Sequence, residues 1–222
     1  GIYRLDLRSG EHKSLFSIAD VVDIPSPGFD PAGSKHYFNH LLFAPGGKRF
    51  VFLHRWRQEG QMGFHTRMLT ADREGRDFHV VDPHGHMSHF IWKDPEHILG
   101  WTWQPETEWG FYLLRDRSDH VEPVGRGVMT VNGHCTYLAD GEWILNDTYP
   151  DTERKQHLYL YHPGRNERVP LGSFYTGPAY TGEWRCDLHP RSSPDGTKVI
   201  VDSNHEGLGR QMYMLDISSA VG

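Results

Sequence analysis

The sequence holds only two cysteines, Cys135 and Cys186, no apolar run long enough for a membrane-spanning helix, and none of the compact motifs of common hydrolytic or nucleotide chemistry. Two cysteines are too few for a disulfide scaffold, so the redox compartment stays open and buried free thiols are the simpler expectation. A spanning helix needs about 18 consecutive apolar residues, and membrane insertion is therefore not expected. No His-Glu-x-x-His, nucleophile elbow, phosphate-binding glycine loop or Cys-x-x-Cys occurs, which removes support for zincin, serine-hydrolase and P-loop chemistry. An excess of positive charge is missing too. Lysine and arginine number 23 against 29 acidic residues, a net charge of −6 with histidine neutral, so nucleic acid is not an expected partner. Any basic site must be local.

What is present points to strands and turns. Among 222 residues there are 24 glycines, 14 prolines and 13% aromatics, with few helical stretches, which favours an all-β protein. Four histidines, His40, His89, His134 and His189, open four copies of one unit. The copies read His-Leu-Leu-Phe-Ala-Pro-Gly-Gly, His-Phe-Ile-Trp-Lys-Asp-Pro-Glu, His-Cys-Thr-Tyr-Leu-Ala-Asp-Gly and His-Pro-Arg-Ser-Ser-Pro-Asp-Gly. Each carries a turn at fixed distance from its histidine. An apolar run follows, at 50 to 53, 98 to 101, 143 to 145 and 199 to 201, and reads as the second strand of a hairpin.

The intervals between the histidines are 49, 45 and 55 residues (89 minus 40, 134 minus 89, 189 minus 134), which is blade spacing for a β-propeller of four-stranded antiparallel sheets. Outer strands are expected at 64 to 69 and 78 to 81, at 110 to 114 and 121 to 124, and at 157 to 161 and 168 to 171, with a last one at 211 to 217. The units span 36 to 82, 83 to 128, 129 to 172 and 183 to 222. Residues 3 to 16 alternate and turn like the outer half of a preceding blade, with linker up to residue 35. The chain starts without Met inside that apparent strand, so we expect four visible blades of a propeller with six or seven. A β-sandwich would not repeat one hairpin at this interval.

A residue that opens the innermost strand of a blade lies beside the central channel, and the second strand runs back to the same end. The four histidines are therefore expected to converge, joined by the residues that follow the apolar runs: His54, Arg55 and Arg57, then Asp147 and Tyr149, then Asp202, His205 and Glu206. Arg185 and Asp187 lie on the approach to His189. Loops on a rigid β-scaffold are a common place for function. Arg55 and Arg57 flank Trp56 and would alternate along a strand, presenting two guanidinium groups to one side, suited to a carboxylate or sulfate. Tyr149, between a strand and a proline, suits an exposed proton donor. Plainer readings stand beside these. A histidine near a turn can cap a carbonyl and recur through blade duplication, the arginines can form surface ion pairs, and Tyr149 can pack. His84 and His86 read as a polar interblade loop rather than a metal pair; His120 and His162 read as exposed.

The segments Ser-His-Phe-Ile-Trp at 88 to 92, Gly-His-Cys-Thr-Tyr at 133 to 137 and Cys-Asp-Leu-His-Pro-Arg-Ser-Ser-Pro-Asp-Gly at 186 to 196 resemble the oligogalacturonate lyase family and related propeller polysaccharide lyases. The likeness runs over most of 36 to 218; the Pro-Asp-Gly turns are shared with TolB-like propellers. It implies a seven-bladed propeller that cleaves uronic-acid oligosaccharides by β-elimination, with a histidine base, an arginine and a divalent metal, commonly manganese. Matched by position, His89 would be the base and His134 and His189 metal ligands. The family's last metal motif has a glutamine and two close histidines where this chain has Cys186, His189 and Arg191. Ulvan and rhamnose-glucuronate lyases use histidine, tyrosine and arginine on similar propellers, which brings in Tyr149.

The resulting expectation is a lyase with His89, Arg55, Arg57 and Tyr149 as catalytic residues. His40, His54, Arg185 and His205 would bind substrate, and His134 and His189 would hold Mn2+, or alternatively Ca2+ or Zn2+. The partner is an acidic oligosaccharide, and the compartment a bacterial cytoplasm or periplasm, with the protein soluble. Histidine suits the base because its ordinary pKa lies near neutral pH. The rival expectation is a propeller without catalysis that binds a glycan or a protein.

Overall fold

The computed structural model describes residues 1 to 30 and 32 to 221; Pro31, in the expected linker, and Gly222, at the end of the fourth unit, lie outside the described residues. The chain opens with a two-stranded antiparallel sheet, β1 (Ile2–Leu5) and β2 (His12–Phe16), followed by the short helix α1 (Ile18–Val22). Ser17 starts that helix with a reciprocal capping box. Its hydroxyl accepts from the Asp20 amide at 3.2 Å, and the Asp20 carboxylate accepts from the Ser17 amide at 2.7 Å.

Blade one consists of β3 (Ser34–Phe43), β4 (Arg49–Gln58), β5 (His65–Asp72) and β6 (His79–Asp82), hydrogen-bonded in that order. Blade two follows with β7 (Phe90–Trp92), β8 (His97–Gln104), β9 (Glu108–Arg115) and β10 (Val121–Val124). Blade three is β11 (Cys135–Tyr137), β12 (Ile144–Asn146), β13 (Lys155–His162) and β14 (Glu167–Tyr175). Blade four has three strands, β15 (Arg191–Ser192), β16 (Lys198–Ser203) and β17 (Gln211–Asp216), and the one-turn helix α2 (Ser218–Val221) ends the chain. All pairs are antiparallel. The fold is an all-β propeller, and outside the first two strands of blade one the strands read from the sequence lie where they were expected to within a few residues.

The alternation of side chains along the strands builds the core between blades. On β4, Val51 and Leu53 face blade two, where they meet Met87, Trp92 and Ile98, while Phe50 and Phe52 face the first sheet and meet Ile2, Phe16 and Val21. Blade two turns Leu99, Trp101 and Phe111 to Cys135, Ile144 and Tyr159 of blade three. Blade three in turn packs Leu145, Leu158 and Leu160 on Leu188, Val199 and Val201 of blade four. Both cysteines are buried and free. A buried charge cluster adds to the first contact: Arg49 of blade one donates from Nε to Asp116 beyond β9, and the Thr70 hydroxyl donates to the same carboxylate.

Blade one departs from the sequence reading. Its second strand continues past Leu53 through Gln58, because β3 begins early enough to supply partners: Phe38 opposite His54, Tyr37 opposite Arg55 and Lys35 opposite Arg57. His54 lies within this strand rather than past its end, while Arg55 and Arg57 alternate along it as expected.

Candidate functional site

The backbone brings the ends of the first two strands of blades two to four to one face. In blade two the Ser88 amide donates to the Trp101 carbonyl at 3.0 Å, and the Trp101 amide to the His89 carbonyl at 2.9 Å. In blade three the Asp147 amide donates to the His134 carbonyl at 3.3 Å, and in blade four the Asp202 amide donates to the Leu188 carbonyl at 2.8 Å. The repeat thus places His89, His134 and His189 at matching points. His40 reaches the same place differently, from a bulge in β3 where it takes a left-handed φ of 53°. His189 is also left-handed, at 45°. For residues other than glycine such backbone costs about 1–3 kcal/mol and persists only where its surroundings impose it.

The four rings line one pocket of about 220 Å³, together with Leu41, Leu42, Phe90, Cys135 and Arg191. The His134 ring lies 4.2 Å from that of His89 and 3.6 Å from that of His189, centre to centre. Tyr149 completes the group, its hydroxyl 3.3 Å from His89 Nε2. The Arg185 guanidinium sits 4.9 Å above the Tyr149 ring. It also holds Asp187, with Nε 2.7 Å from each carboxylate oxygen.

Asp147 organises this arrangement. Its side chain is 1% exposed and accepts from the His134 amide, from the His134 ring at 3.0 Å and from the His189 amide at 3.0 Å. A carboxylate accepts only, so His134 must donate from Nδ1, and Nε2 is the nitrogen left to the pocket. Gly133 is required beside it. A Cβ there would stand 1.9 Å from the Asp147 carbonyl oxygen, and no side chain fits that approach. His89 is set by a second polar pair: Nδ1 donates to Asn132 Oδ1 at 2.9 Å, and the Asn132 amide donates to Ser88 Oγ at 3.2 Å. Its Nε2 therefore carries a lone pair, which accepts from the Tyr149 hydroxyl.

The electrostatics keep the base neutral, though weaker than the histidine of near-neutral pKa expected from the sequence, with a proton donor beside it. Burial, reinforced by His134, pushes the His89 pKa down to about 4, so the imidazole is unprotonated near neutral pH. Burial also lowers His40 and His189. It raises Tyr149, which keeps that hydroxyl protonated.

His134, Asp187 and His189 offer ligand atoms that lie within 4.8 Å of one another. Imidazole and carboxylate donors of this kind fit a divalent cation, and the Asp147 carboxylate behind His134 is the usual partner of a metal-binding histidine. Asp187 would exchange its pairing with Arg185 for the ion.

The expected residues divide. His40, His89, His134, His189 and Tyr149 come together, with Arg185 at the edge. Arg55 is partly buried, with its guanidinium 4.4 Å from the Phe64 ring centre and close enough to His40 and Tyr149 to bias both. Arg57 is exposed on the outer part of β4. His54 lies away from the pocket. It is fully buried, accepts from Arg67 Nε at 3.0 Å and lies 3.0 Å from His36, because β4 carries it into the packing between blade one and the α1 segment. His205 is also held elsewhere, bonded to Ser203 and packed 4.4 Å from Tyr213. Asp147, Asp187, Arg191 and Asn132 support the site without belonging to the histidine repeat. The one local signal for them was Asn132-Gly133 directly ahead of His134.

No protein-family model matches this sequence, and no curated protein matches it either. Solved structures do. An oligogalacturonate lyase in complex with manganese superposes with a TM-score of 0.63 at 15% identity, covering 98% of this chain and 57% of that one. TolB from Acinetobacter baumannii gives 0.60 at 16% identity, over 97% of this chain and 46% of TolB. The tricorn protease gives 0.61 at 11%, over 97% of this chain and 23% of the protease. This chain is a β-propeller. At such identities the likeness carries the fold alone, and the fold is shared by a lyase, a TolB and a protease. The chain spans less than two thirds of the length of each of these neighbours.

Proposed function

We propose that this chain carries the active face of a lyase that cleaves uronic-acid-containing oligosaccharides by β-elimination. One juxtaposition supports the reading above the others: a buried neutral His89 with its Nε2 against a protonated Tyr149, beside the His134, His189 and Asp187 donors. Elimination needs these parts. The carbon next to the uronate carboxylate must lose a proton, the negative charge that develops must be met, and the departing oxygen must gain a proton.

With the Tyr149 hydroxyl turned from His89 Nε2 to the leaving oxygen, the freed Nε2 lone pair takes the proton, and the electron pair of the broken carbon–hydrogen bond forms a carbon–carbon double bond while the neighbouring carbon–oxygen bond breaks. Tyr149 gives its hydroxyl proton to the leaving oxygen and recovers one from His89 along their hydrogen bond, so the proton count closes. Arg191, which lines the pocket, and Arg185, over the Tyr149 ring, are cations for the substrate carboxylate. A divalent cation held by His134, His189 and Asp187, with manganese, calcium and zinc as the choices, would supply a Lewis acid for the same carboxylate. Asn132 and Asp147 fix the two ring orientations on which these roles depend.

The test is absorbance of the conjugated product near the ultraviolet edge, with galacturonan, ulvan and glucuronate-capped oligosaccharides, each supplied with the three cations in turn. Turnover by the wild type, lost in His89→Ala and Tyr149→Phe, supports the proposal. No product from any substrate, with ligand affinity unchanged in His89→Ala and His134→Ala, makes the chain a binding propeller without catalysis.

A further inference from the structure

Blade two is flanked by a complete blade on each side, so its exposed surface is not the edge of a sheet awaiting a neighbour. Its face toward blade three carries an aromatic row at paired positions, Trp101 opposite Phe111 and Trp103 opposite Trp109. Within the sheet the row is covered, with Trp101 and Phe111 buried against blade three. Beyond it the cover stops. Trp103 is partly exposed, and Trp109 is 54% exposed while lying nearly parallel to Trp101, at 20° and 6.4 Å. His84 and His86, on the loop from β6 to β7, reach the same indoles: the His86 ring is 5.2 Å from Trp109 and 5.9 Å from Trp103, and the His84 ring 5.9 Å from Trp103.

This cluster lies at the end of blade two that bears His89, because Trp101 pairs with the backbone of Ser88 and His89 and the two outer indoles continue from it. From β7 to β9 is two strand spacings, about 10 Å, a distance that a few linked sugar residues cover. A broad indole face with imidazole groups at its edge matches a pyranose ring, which has C–H bonds on its face and hydroxyls around its rim. No lysine or arginine belongs to the cluster, so it suits the ring rather than the carboxylate. We infer that Trp109 and Trp103, with His84 and His86, form a second carbohydrate subsite on the rim of blade two, which stacks a sugar ring of an oligosaccharide whose reacting residue lies at His89.

The inference rests on the pocket being a uronate site, and binding separates it from turnover. Galacturonate trimer and hexamer are titrated by tryptophan fluorescence into the protein carrying His89→Ala, so that nothing is cleaved, with and without Trp109→Ala. The expected result is hexamer binding weakened about fivefold to tenfold by Trp109→Ala, trimer binding unchanged, and most of the loss restored by Trp109→Phe. Equal effects on both lengths, no effect on either, or a protein with intact Trp109 that binds neither oligomer overturns the inference. Length-dependent binding that needs Trp109 in a wild type without turnover retains the subsite and defeats the lyase reading alone.

Discussion

At the scale of single residues, the site depends on Asp147 more than on any histidine that the repeat displays. Its carboxylate fixes which nitrogen of His134 faces the pocket and holds the His189 amide from the next blade. Asp147→Asn keeps the size and removes the charge and one acceptor. Cation affinity measured by calorimetry should fall about 10–100-fold, as for other carboxylates behind metal-binding histidines. His54 makes a separate prediction. Burial, with Arg67 and His36 adding to it, lowers its pKa from 6.5 to about 3. Below the ordinary value the unfolded chain takes up a proton that the folded one resists, so the stability due to neutral His54 is complete above about pH 6.5 and is lost as the pH falls toward 3. Between about pH 7 and about pH 4.5 the loss should reach about 2–3 kcal/mol in urea unfolding. His54→Gln should show a smaller loss over the same range; an identical pH dependence would remove His54 as its source.

At the scale of elements, the blades hold together through side chains, and one ion cluster is open to test. Arg49 and Asp116 are both buried, and they join β4 to the end of β9 with Thr70 between them. Asp116→Ala leaves the arginine with its exposed partner Asp77 and should cost about 3 kcal/mol, read as a lower urea midpoint with an unchanged slope. The strands themselves were legible because period-two runs and Pro-Asp-Gly or Pro-Gly turns are local signals. The early start of β3 was not, since the histidine column opens that strand at His40 and residues up to 35 read as linker until β4 is seen to pair with them. That one strand decides the fate of His54, which a sequence reader places after the apolar run and the fold places inside it. The histidine column was legible as a repeat. Asp147 as its support was not, because its partners come from two blades, and His189 lies 42 residues from it in sequence.

At the scale of the whole molecule, the pocket is assembled from separate sheets. A cation present at about 100 times its dissociation constant should stabilise the fold by about 2.7 kcal/mol, which for a chain of this size raises Tm by about 5–10 °C. His134→Ala and His189→Ala should lose that rise in a thermal melt, and His205→Ala should keep it; a rise that survives in all three places the ion elsewhere. The separation of sheets also bears on the order of folding. Each blade closes through hairpins between chain neighbours, which are fast local contacts, whereas the His89, His134 and His189 rings meet only across blade boundaries. A nascent chain can therefore hold every hairpin and still have no pocket. Competence is the last thing this fold acquires, and its appearance marks the docking of the blades.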